Sequence, residues 1–219
     1  MKAEFWLNKW KLNEIGFHQE STNEALQAHW PSVHVPKGGS VLVPLCGKSL
    51  DMCWLAEQGH AVIGIEVSAL ACEAFFNGQG LAPRIEEAGA LLSMSAGPYR
   101  LLQGDFFAAT AADVGGAAAF YDRAALVAMP PDMQPAYVQQ LIGLLPPGTL
   151  GIVNCVEYPS DAMEGPPFSI DEARLRQLLA PYCRVERCAS REVETLGSGL
   201  KERGLAGLTE TVYRVRVNP

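Results

Sequence analysis

The fold of this chain is decided by residues 41–68, which begin with Val-Leu-Val-Pro-Leu-Cys-Gly-Lys-Ser (41–49) and end with Ala-Val-Ile-Gly-Ile-Glu-Val-Ser (61–68). Both stretches open with apolar, β-branched residues, which predict buried strands. Between them apolar residues recur at helical spacing as far as Gly59, where a helix commonly ends. A helix that joins two buried strands makes a βαβ unit, in which the strands are parallel.

An acidic residue closes the second of these strands. Glu66 follows Gly47 by nineteen residues and lies at the carboxyl end of the predicted strand. A carboxylate at this position can accept hydrogen bonds from both hydroxyl groups of a ribose. The βαβ unit therefore predicts a nucleoside-binding site.

The composition indicates one globular α/β protein, with 219 residues, 48% hydrophobic and 19% charged. The formal net charge of −7 and the absence of a basic stripe argue against a nucleic-acid partner. No run approaches the ~18 continuous apolar residues that span a bilayer, and the N-terminal residues lack the pattern of a signal peptide. We therefore expect a cytoplasmic monomer with neither a nucleic-acid nor a membrane partner.

The six cysteines form no C-x-x-C pair, and none stands at zinc-ligand spacing with a histidine. We expect reduced thiols, as in cytoplasmic proteins, and no metal. Cys46 allows two interpretations because it stands in a turn before a helix, where a thiolate would be stabilised. A small packing residue is favoured over a nucleophile.

Residues 1–37 precede the first strand and predict two helices. The first carries Phe5, Trp6 and Trp10, and Ser21 or Thr22 is expected to cap the second. The aromatic residues either pack the segment onto the protein or form a lid over the nucleoside site. The sequence does not decide between these two interpretations.

The rest of the chain alternates strands and helices. Strands are predicted at 91–94, 99–102, 117–121, 149–156, 183–188 and 211–217. The first two of these suggest a hairpin, and the last two are expected to be antiparallel because no full crossover helix separates them. We expect a single domain over 1–219, with a helical cover over 1–37 and an α/β core over 38–219.

The turn after the first strand argues against phosphate-bearing ligands. A P-loop requires a glycine five positions before Gly47, where Leu42 stands. A dinucleotide fingerprint requires several glycines to admit a pyrophosphate, and this turn has only Gly47. What remains is a nucleoside without phosphates, and S-adenosylmethionine is such a ligand.

Open α/β sheets bind ligands at the carboxyl edge, so the strand ends supply contacts to this ligand in order. Leu45 and Gly47 are predicted at its methionine end, through backbone groups, and Glu66 at its ribose. Asp105 and Phe106 are predicted to flank the adenine, although Asp105 is equally explained as a turn residue.

Asp122 and Arg123 end another predicted strand and are expected beside the reacting methyl group as the catalytic residues. Arg123 allows two interpretations, a surface ion pair or a functional group. An arginine at the end of a central strand favours function.

Five blocks of the sequence occur in the same order in one enzyme family. They are Phe17-His18-Gln19, Val43-Pro44-Leu45-Cys46-Gly47-Lys48, Gly59-His60-Ala61-Val62-Ile63-Gly64-Ile65-Glu66-Val67-Ser68, Asp122-Arg123-Ala124-Ala125-Leu126-Val127-Ala128 and Gly165-Pro166-Pro167-Phe168. On these blocks the chain resembles the thiopurine S-methyltransferases, and the Pro-Leu-Cys-Gly-Lys turn is the most specific of them.

This resemblance implies a Rossmann-like, seven-stranded, mostly parallel sheet with the last strand antiparallel, helices on both faces and an N-terminal helical lid. It implies methyl transfer from S-adenosylmethionine to the sulfur of an aromatic or heterocyclic thiol. By position, Trp10, Leu45, Glu66 and Arg123 match the family's cofactor-binding residues. Phe17 matches an aromatic residue near the acceptor, which Arg123 is also expected to serve.

The methyl acceptor stays open at this point. The loop from Thr195 to Leu208 departs from the vertebrate pattern, and Arg203 is its candidate for an acceptor-side arginine. Bacterial members of the family are also associated with methylating selenium and tellurium species, which is an alternative physiological role. Two other classes remain as alternatives, a nicotinamide-dependent reductase and a protein that sequesters a metalloid through its cysteines.

Overall fold

The computed structural model describes residues 3–159, 161–194 and 197–219. Its strands are β1 (Ser40–Pro44), β2 (Ala61–Glu66), β3 (Arg84–Ala88), β4 (Leu91–Ala96), β5 (Tyr99–Gln103), β6 (Ala119–Arg123), β7 (Leu150–Glu157), β8 (Cys183–Val193) and β9 (Leu208–Val217). Its helices are α1 (Ala3–Lys11), α2 (Glu24–His29), α3 (Asp51–Glu57), α4 (Ala69–Gly78), α5 (Ala111–Val114), α6 (Gln134–Gly143), α7 (Glu172–Leu179) and α8 (Ser198–Glu202). No helix in these ranges is long and apolar enough to span a bilayer.

One mixed sheet runs through the protein in the order β3-β4-β5-β2-β1-β6-β7-β9-β8. The strands β5, β2, β1, β6 and β7 are parallel neighbours. The last strand, β9, is antiparallel to both β7 and β8, as predicted for the end of the chain.

Over the described ranges the sheet has nine strands, so the expected number of seven is wrong. The predicted hairpin of β4 and β5 is confirmed, but β3 pairs with β4 and extends the sheet further. β3 reads Arg-Ile-Glu-Glu-Ala, and its first four residues are exposed. Three of the five residues are charged and Ile85 is exposed, so the strand carries no alternating apolar pattern that would reveal it.

Alternation along the central strands explains why helices cover both faces. Leu42 and Ile63 belong to one apolar cluster, which also contains buried residues of α6 and α7. Val41, Val43 and Val62 belong to a second cluster, with buried residues of α3 and α4. Successive side chains of a strand point to opposite faces, so a continuous apolar run requires a layer of helices on each side.

The centre of the sheet is its topological switch point. β1 pairs with β2 on one side and with β6 on the other, so the strand order reverses there. Open α/β sheets leave a crevice at the carboxyl ends of the strands at such a point. The fold therefore directs attention to the residues that follow β1 and β6.

The N-terminal segment contains the two predicted helices, but the capping residue differs from the prediction. Asn23, rather than Ser21 or Thr22, caps α2, and its side-chain oxygen accepts hydrogen bonds from the backbone N–H groups of Ala25 and Leu26. Asn is as good a capping residue as Ser or Thr, so the sequence alone left several adjacent choices.

Gly64 keeps β2 in close contact with its surroundings, and Gly64→Ala is expected to lower stability by about 1–3 kcal/mol. A Cβ at this position would lie 2.5 Å from the Sγ of Cys46 and 2.5 Å from a methyl carbon of Leu101. Urea unfolding measures the change. Gly78→Ala, where no atom lies within 4 Å of the added carbon, is the matched control, and an equal loss in both variants would contradict the prediction.

Candidate functional site

A cavity lies at the switch point, between the strand ends and the N-terminal segment. Its walls are formed by Trp6, Trp10, Phe17, His18, Val43, Leu45, Cys46, Gly47, Lys48, Ser49, Asp51, Glu66, Val67, Tyr121, Arg123, Ala124 and Ala128. Five of the predicted site residues are therefore brought to the same cavity as Arg123, although the six together are spread over more than a hundred positions of sequence. These five are Trp10, Phe17, Leu45, Gly47 and Glu66.

The turn after β1 has an unusual backbone. Leu45 has φ of +47° and Gly47 has φ of +53°, while the N–H of Cys46 between them donates to the carbonyl of Ile65 at 3.1 Å. A left-handed conformation is costly for a residue with a side chain and is common at functional sites. Ala124, directly after β6, also has positive φ, at +60°. The strands β1 and β6 are thus each followed directly by a non-glycine residue with positive φ.

Glu66 holds the turn in place. One carboxylate oxygen accepts the N–H of Gly47 at 2.9 Å, and the other accepts the N–H of Ser68 at 2.8 Å. Each carboxylate oxygen has two acceptor positions, so one on each oxygen stays available for a ligand. Burial raises the pKa of this carboxyl, and the N–H groups of Ser68, Gly47 and Val67 act in the opposite direction.

Three aromatic residues of the N-terminal segment form one wall of the cavity. The ring of Phe17 lies edge-on to Trp6 at 5.6 Å and to Trp10 at 5.7 Å between centroids. Trp10 lies so close to Gly47 that an added Cβ there would be 3.1 Å from its ring. The buried Nε1 of Trp6 has no hydrogen-bond partner in the part of the chain that the structure describes.

Arg123 enters the cavity beside a buried carboxylate, Asp51. The guanidinium lies 3.8 Å from Oδ2 of Asp51, which also accepts the hydroxyl of Tyr121 at 3.1 Å. The other oxygen of Asp51 accepts the backbone N–H of Asn23 at 2.8 Å. Asp51 therefore joins the N-terminal segment to the strand that carries Arg123.

Asp51 was not predicted from the sequence as a residue of the site. An acidic residue in the first turn of a helix is explained by the helix dipole alone, so it does not stand out. Its partners are 28 and 70 residues away in the chain. Only the assembled fold shows that this carboxylate is buried and shared.

Asp122 lies next to Arg123 in sequence, but its carboxylate is not among the groups that form the cavity wall. It accepts the hydroxyl of Tyr137 at 2.7 Å and the N–H of Leu126 at 3.0 Å. Consecutive residues of a strand point to opposite faces, so Tyr121 and Arg123 share the cavity while Asp122 points to α6. This alternation is the signal in the sequence that separates the two neighbours.

Asp122 links stability to pH, because burial raises its pKa from 3.8 to about 6. The folded state holds this proton more tightly than the unfolded state, so the resulting stabilisation is complete below pH 3.8 and is lost as pH rises through about 6. We expect the unfolding free energy of Asp122→Asn, relative to the natural protein, to increase by about 2 kcal/mol between roughly pH 4 and pH 7. Urea unfolding at both pH values measures this, and a pH-independent difference would contradict it.

Asp105 and Phe106 follow β5, beside the end of β2, but neither contributes to the cavity wall. Asp105 is exposed and accepts the N–H of Phe107 at 3.0 Å, as a turn residue does. Phe106 is buried and stacks on Tyr137 at 5.0 Å. Gly104, just before them, donates its N–H to the carbonyl of Glu66 at 2.9 Å, which ties this loop to the end of β2.

Arg203 is exposed and lies outside the cavity wall. Its guanidinium donates to the backbone carbonyls of Pro166 at 2.5 Å and Gly165 at 2.7 Å. It therefore joins two loops. Of the loop from Thr195 to Leu208 in which it was predicted, residues 195 and 196 lie outside the described residues.

Cys46 is buried beneath the turn, as a packing residue would be. Burial and the neighbouring carboxylate of Glu66 raise the pKa of its thiol well above the ordinary value. A thiol of this kind stays protonated and is a poor nucleophile. The geometry therefore favours the packing interpretation.

These features fit a nucleoside that carries a sulfonium group rather than phosphates. Glu66 keeps acceptor positions for ribose hydroxyls, and Trp6, Trp10 and Phe17 line the cavity with aromatic rings, a residue type that attracts cations. The unpaired Nε1 of Trp6 is one more donor beside the cavity. The turn presents two positive-φ residues but no multi-glycine cradle for a diphosphate.

Comparisons with known proteins agree with this geometry. The sequence model of the family described as thiopurine S-methyltransferase matches residues 1–218. A relative from Pseudomonas fluorescens named thiopurine S-methyltransferase is 45% identical over 218 residues, covering 99% of each chain. Another with that name, from Bordetella parapertussis, is 43% identical over 215 residues and 98% of each chain.

Among solved structures, the fold is similar to that of the 1,6-didemethyltoxoflavin-N1-methyltransferase of Burkholderia thailandensis, crystallised with S-adenosylhomocysteine. The TM-score is 0.61 at 16% sequence identity, over 99% of this chain and 87% of that one. At this identity the likeness shows the shared α/β fold.

Proposed function

Because the chain belongs to the thiopurine S-methyltransferase family, we propose that it transfers the methyl group of S-adenosylmethionine to the sulfur of thiopurines or other aromatic and heterocyclic thiols. The observation that carries this proposal is that Glu66 and Arg123 line one cavity at the switch point of the sheet. The carboxylate of Glu66 suits the ribose of a methyl donor, and the guanidinium of Arg123 suits an anionic acceptor. S-adenosylmethionine, when bound, supplies a methyl group already activated by the sulfonium.

On the donor side, Glu66 accepts the ribose hydroxyls, and the turn at Leu45 and Gly47 offers backbone groups to the methionine end. Trp10 closes this end because its ring lies on Gly47. Asp105 and Phe106 belong to the loop that would flank the adenine, and the hydrogen bond from Gly104 to Glu66 supports that position. The exposed Phe107 is the aromatic residue of this loop with free surface.

On the acceptor side, Phe17 offers an aromatic edge and Arg123 a positive charge. A heterocyclic thiol is partly ionised near neutral pH, so charge stabilisation and alignment of the two sulfur atoms are the main requirements. Asp122 serves this side indirectly, because its bonds to Leu126 and Tyr137 fix the chain just after Arg123. Arg203 supports the acceptor side through its hydrogen bonds to the backbone carbonyls of the loop at 165–166.

The N-terminal segment, residues 1–37, acts as a cover on the α/β core of residues 38–219. Its aromatic wall and the bond from Asn23 to Asp51 support this role, because they join the segment to the cavity at two separate points. The protein is proposed to act as a monomer. All six cysteines are free, which suits a reducing compartment such as the cytoplasm.

A methyl-transfer assay with labelled S-adenosylmethionine tests the function. We expect label on the sulfur of thiopurines and thiophenols, with S-adenosylhomocysteine as the second product. Arms with selenite and tellurite measure the alternative acceptors, and an arm with NAD(P)H measures the reductase alternative by absorbance. Binding of S-adenosylhomocysteine without transfer to any thiol would contradict the proposed acceptor class.

A further inference from the structure

His18 is a titratable residue of the cavity wall to which the proposed function gives no role. It follows Phe17 in the segment between α1 and α2, and its backbone N–H donates to the carbonyl of Ile15 at 2.8 Å. Its side chain is half-buried and lines the same cavity as Arg123 and Lys48. Resting on the proposed function, we propose that His18 is the general base that removes the proton of thiol acceptors that are not yet ionised.

The imidazole is available for this task. Within residues 3–159, 161–194 and 197–219, no group hydrogen-bonds to either of its ring nitrogens. A neutral imidazole carries one nitrogen with a free lone pair, which can accept a proton. The half-exposed position also leaves a path by which the proton can reach solvent afterwards.

The charges around His18 favour the neutral form. Partial burial lowers its pKa below 6.5, and the cations Lys48, in the turn after β1, and Arg123, at the end of β6, lower it further. The carboxylates of Glu20 and Asp51 act in the opposite direction, and the lowering effects prevail. At neutral pH the imidazole is therefore mostly unprotonated and ready to accept a proton.

The other polar groups of the cavity wall are less suited to this role. Arginine does not deprotonate in proteins, and the carboxylate of Asp51 is paired with the guanidinium of Arg123 at 3.8 Å besides accepting hydrogen bonds from Asn23 and Tyr121. The carboxylate of Glu66 holds the turn through Gly47 and Ser68. Lys48 and Arg123 instead supply charge that favours the thiolate once the proton has left.

The proposed step is balanced as follows. The S–H bond of the acceptor breaks, and its proton goes to the free nitrogen of His18. The acceptor sulfur then bonds to the methyl carbon, and the electron pair of the breaking C–S bond returns to the sulfonium sulfur of the donor. The imidazolium of His18 finally releases its proton to water.

A series of acceptors with different thiol pKa values separates this role from a structural one. Only about 1% of a thiol is ionised when its pKa lies about two units above the assay pH, so we expect His18→Gln to slow transfer to such a thiol by about 10- to 100-fold. For an electron-poor thiophenol that is already ionised, we expect less than about a three-fold change, because no proton has to be removed. The loss should therefore grow with the pKa of the thiol.

The matched control is His29→Gln, since His29 lies on α2 of the same segment and is not part of the cavity wall. This variant should match the natural protein with every thiol. Calorimetric titration with S-adenosylhomocysteine should give unchanged affinity for His18→Gln. NMR titration of the histidine ring signals in the S-adenosylhomocysteine complex should give a His18 pKa below 6.5.

Several results would overturn the role of His18. An equal loss with all thiols would show a structural effect, and no loss with the weakly acidic thiol would show that another base acts. A His18 pKa well above the assay pH would leave the imidazole protonated and unable to accept the proton. If the natural protein transfers methyl groups to no thiol at all, the proposed function itself fails, which these assays distinguish from a failure of His18 alone.

Discussion

Glu66→Ala is expected to weaken the binding of S-adenosylhomocysteine by about 10- to 100-fold, because it removes the acceptor proposed for both ribose hydroxyls. The same change leaves the N–H groups of Gly47 and Ser68 without the partners that they have in the structure. The turn would then lose its anchor to β2, so the contacts at the methionine end should weaken as well. Isothermal titration calorimetry measures the affinity.

Glu66→Gln sharpens this test. Its side chain has one acceptor oxygen, so its NH2 group would face one of the two backbone donors. We therefore expect Gln to be a poor replacement even though it has nearly the same size. Glu57→Ala is the control, since Glu57 is an exposed carboxylate at the last turn of α3. Unchanged affinity in Glu66→Ala would contradict the ribose assignment.

Arg123→Ala is expected to lower kcat by about 100-fold while it weakens the binding of S-adenosylhomocysteine much less. The guanidinium is only 16% exposed, so its charge is less screened than that of a surface arginine. Its proposed task is to stabilise the negative sulfur of the acceptor. This stabilisation affects the rate of methyl transfer more than the binding of the donor. Steady-state kinetics with a thiophenol, together with calorimetry, measure the two quantities.

The control for Arg123 is Arg84→Ala, because Arg84 is an exposed residue of the edge strand β3. It removes the same charge from the protein without touching the cavity. Arg123→Lys keeps the charge but not the planar donor geometry, so partial recovery is expected if charge is the dominant contribution. An Arg123→Ala variant that keeps its kcat but loses donor affinity would assign this residue to the donor alone.

The part of the fold that carries an apolar pattern was predictable from the sequence. The parallel pair of β1 and β2 and the helix between them follow from burial, which leaves a pattern in the residues. The antiparallel end of the sheet follows from the lack of a full crossover helix between the last two strands. The strand β3 could not be found in this way because its first four residues are exposed and three of them are charged. Its place in the sheet is decided by backbone hydrogen bonds with β4, which depend little on the identity of the side chains.

A residue of the candidate site was predictable from the sequence where it stands at the carboxyl end of a predicted strand. Glu66 and Arg123 were found by this rule, and both line the cavity. Asp122 was predicted beside them by the same rule, which ignored the alternation of side chains along a strand. Asp51 escaped notice because the helix dipole alone explains an acidic residue in the first turn of a helix. His18 was named only as part of the Phe17-His18-Gln19 block and was given no role.

The sequence by itself determined the part of the proposed donor side that lies within 41–68. A single-glycine turn, a strand and a terminal carboxylate lie within 41–68, so their geometry depends on local chain direction and not on distant partners. Only the tertiary structure decided the proposed acceptor side, where the N-terminal aromatic residues, Asp51 and Arg123 meet across long sequence separations. Such contacts form only when the helices and the N-terminal segment pack on the common sheet. They cannot be read from the sequence, because side-chain hydrogen bonds between distant residues leave no periodic pattern along the chain.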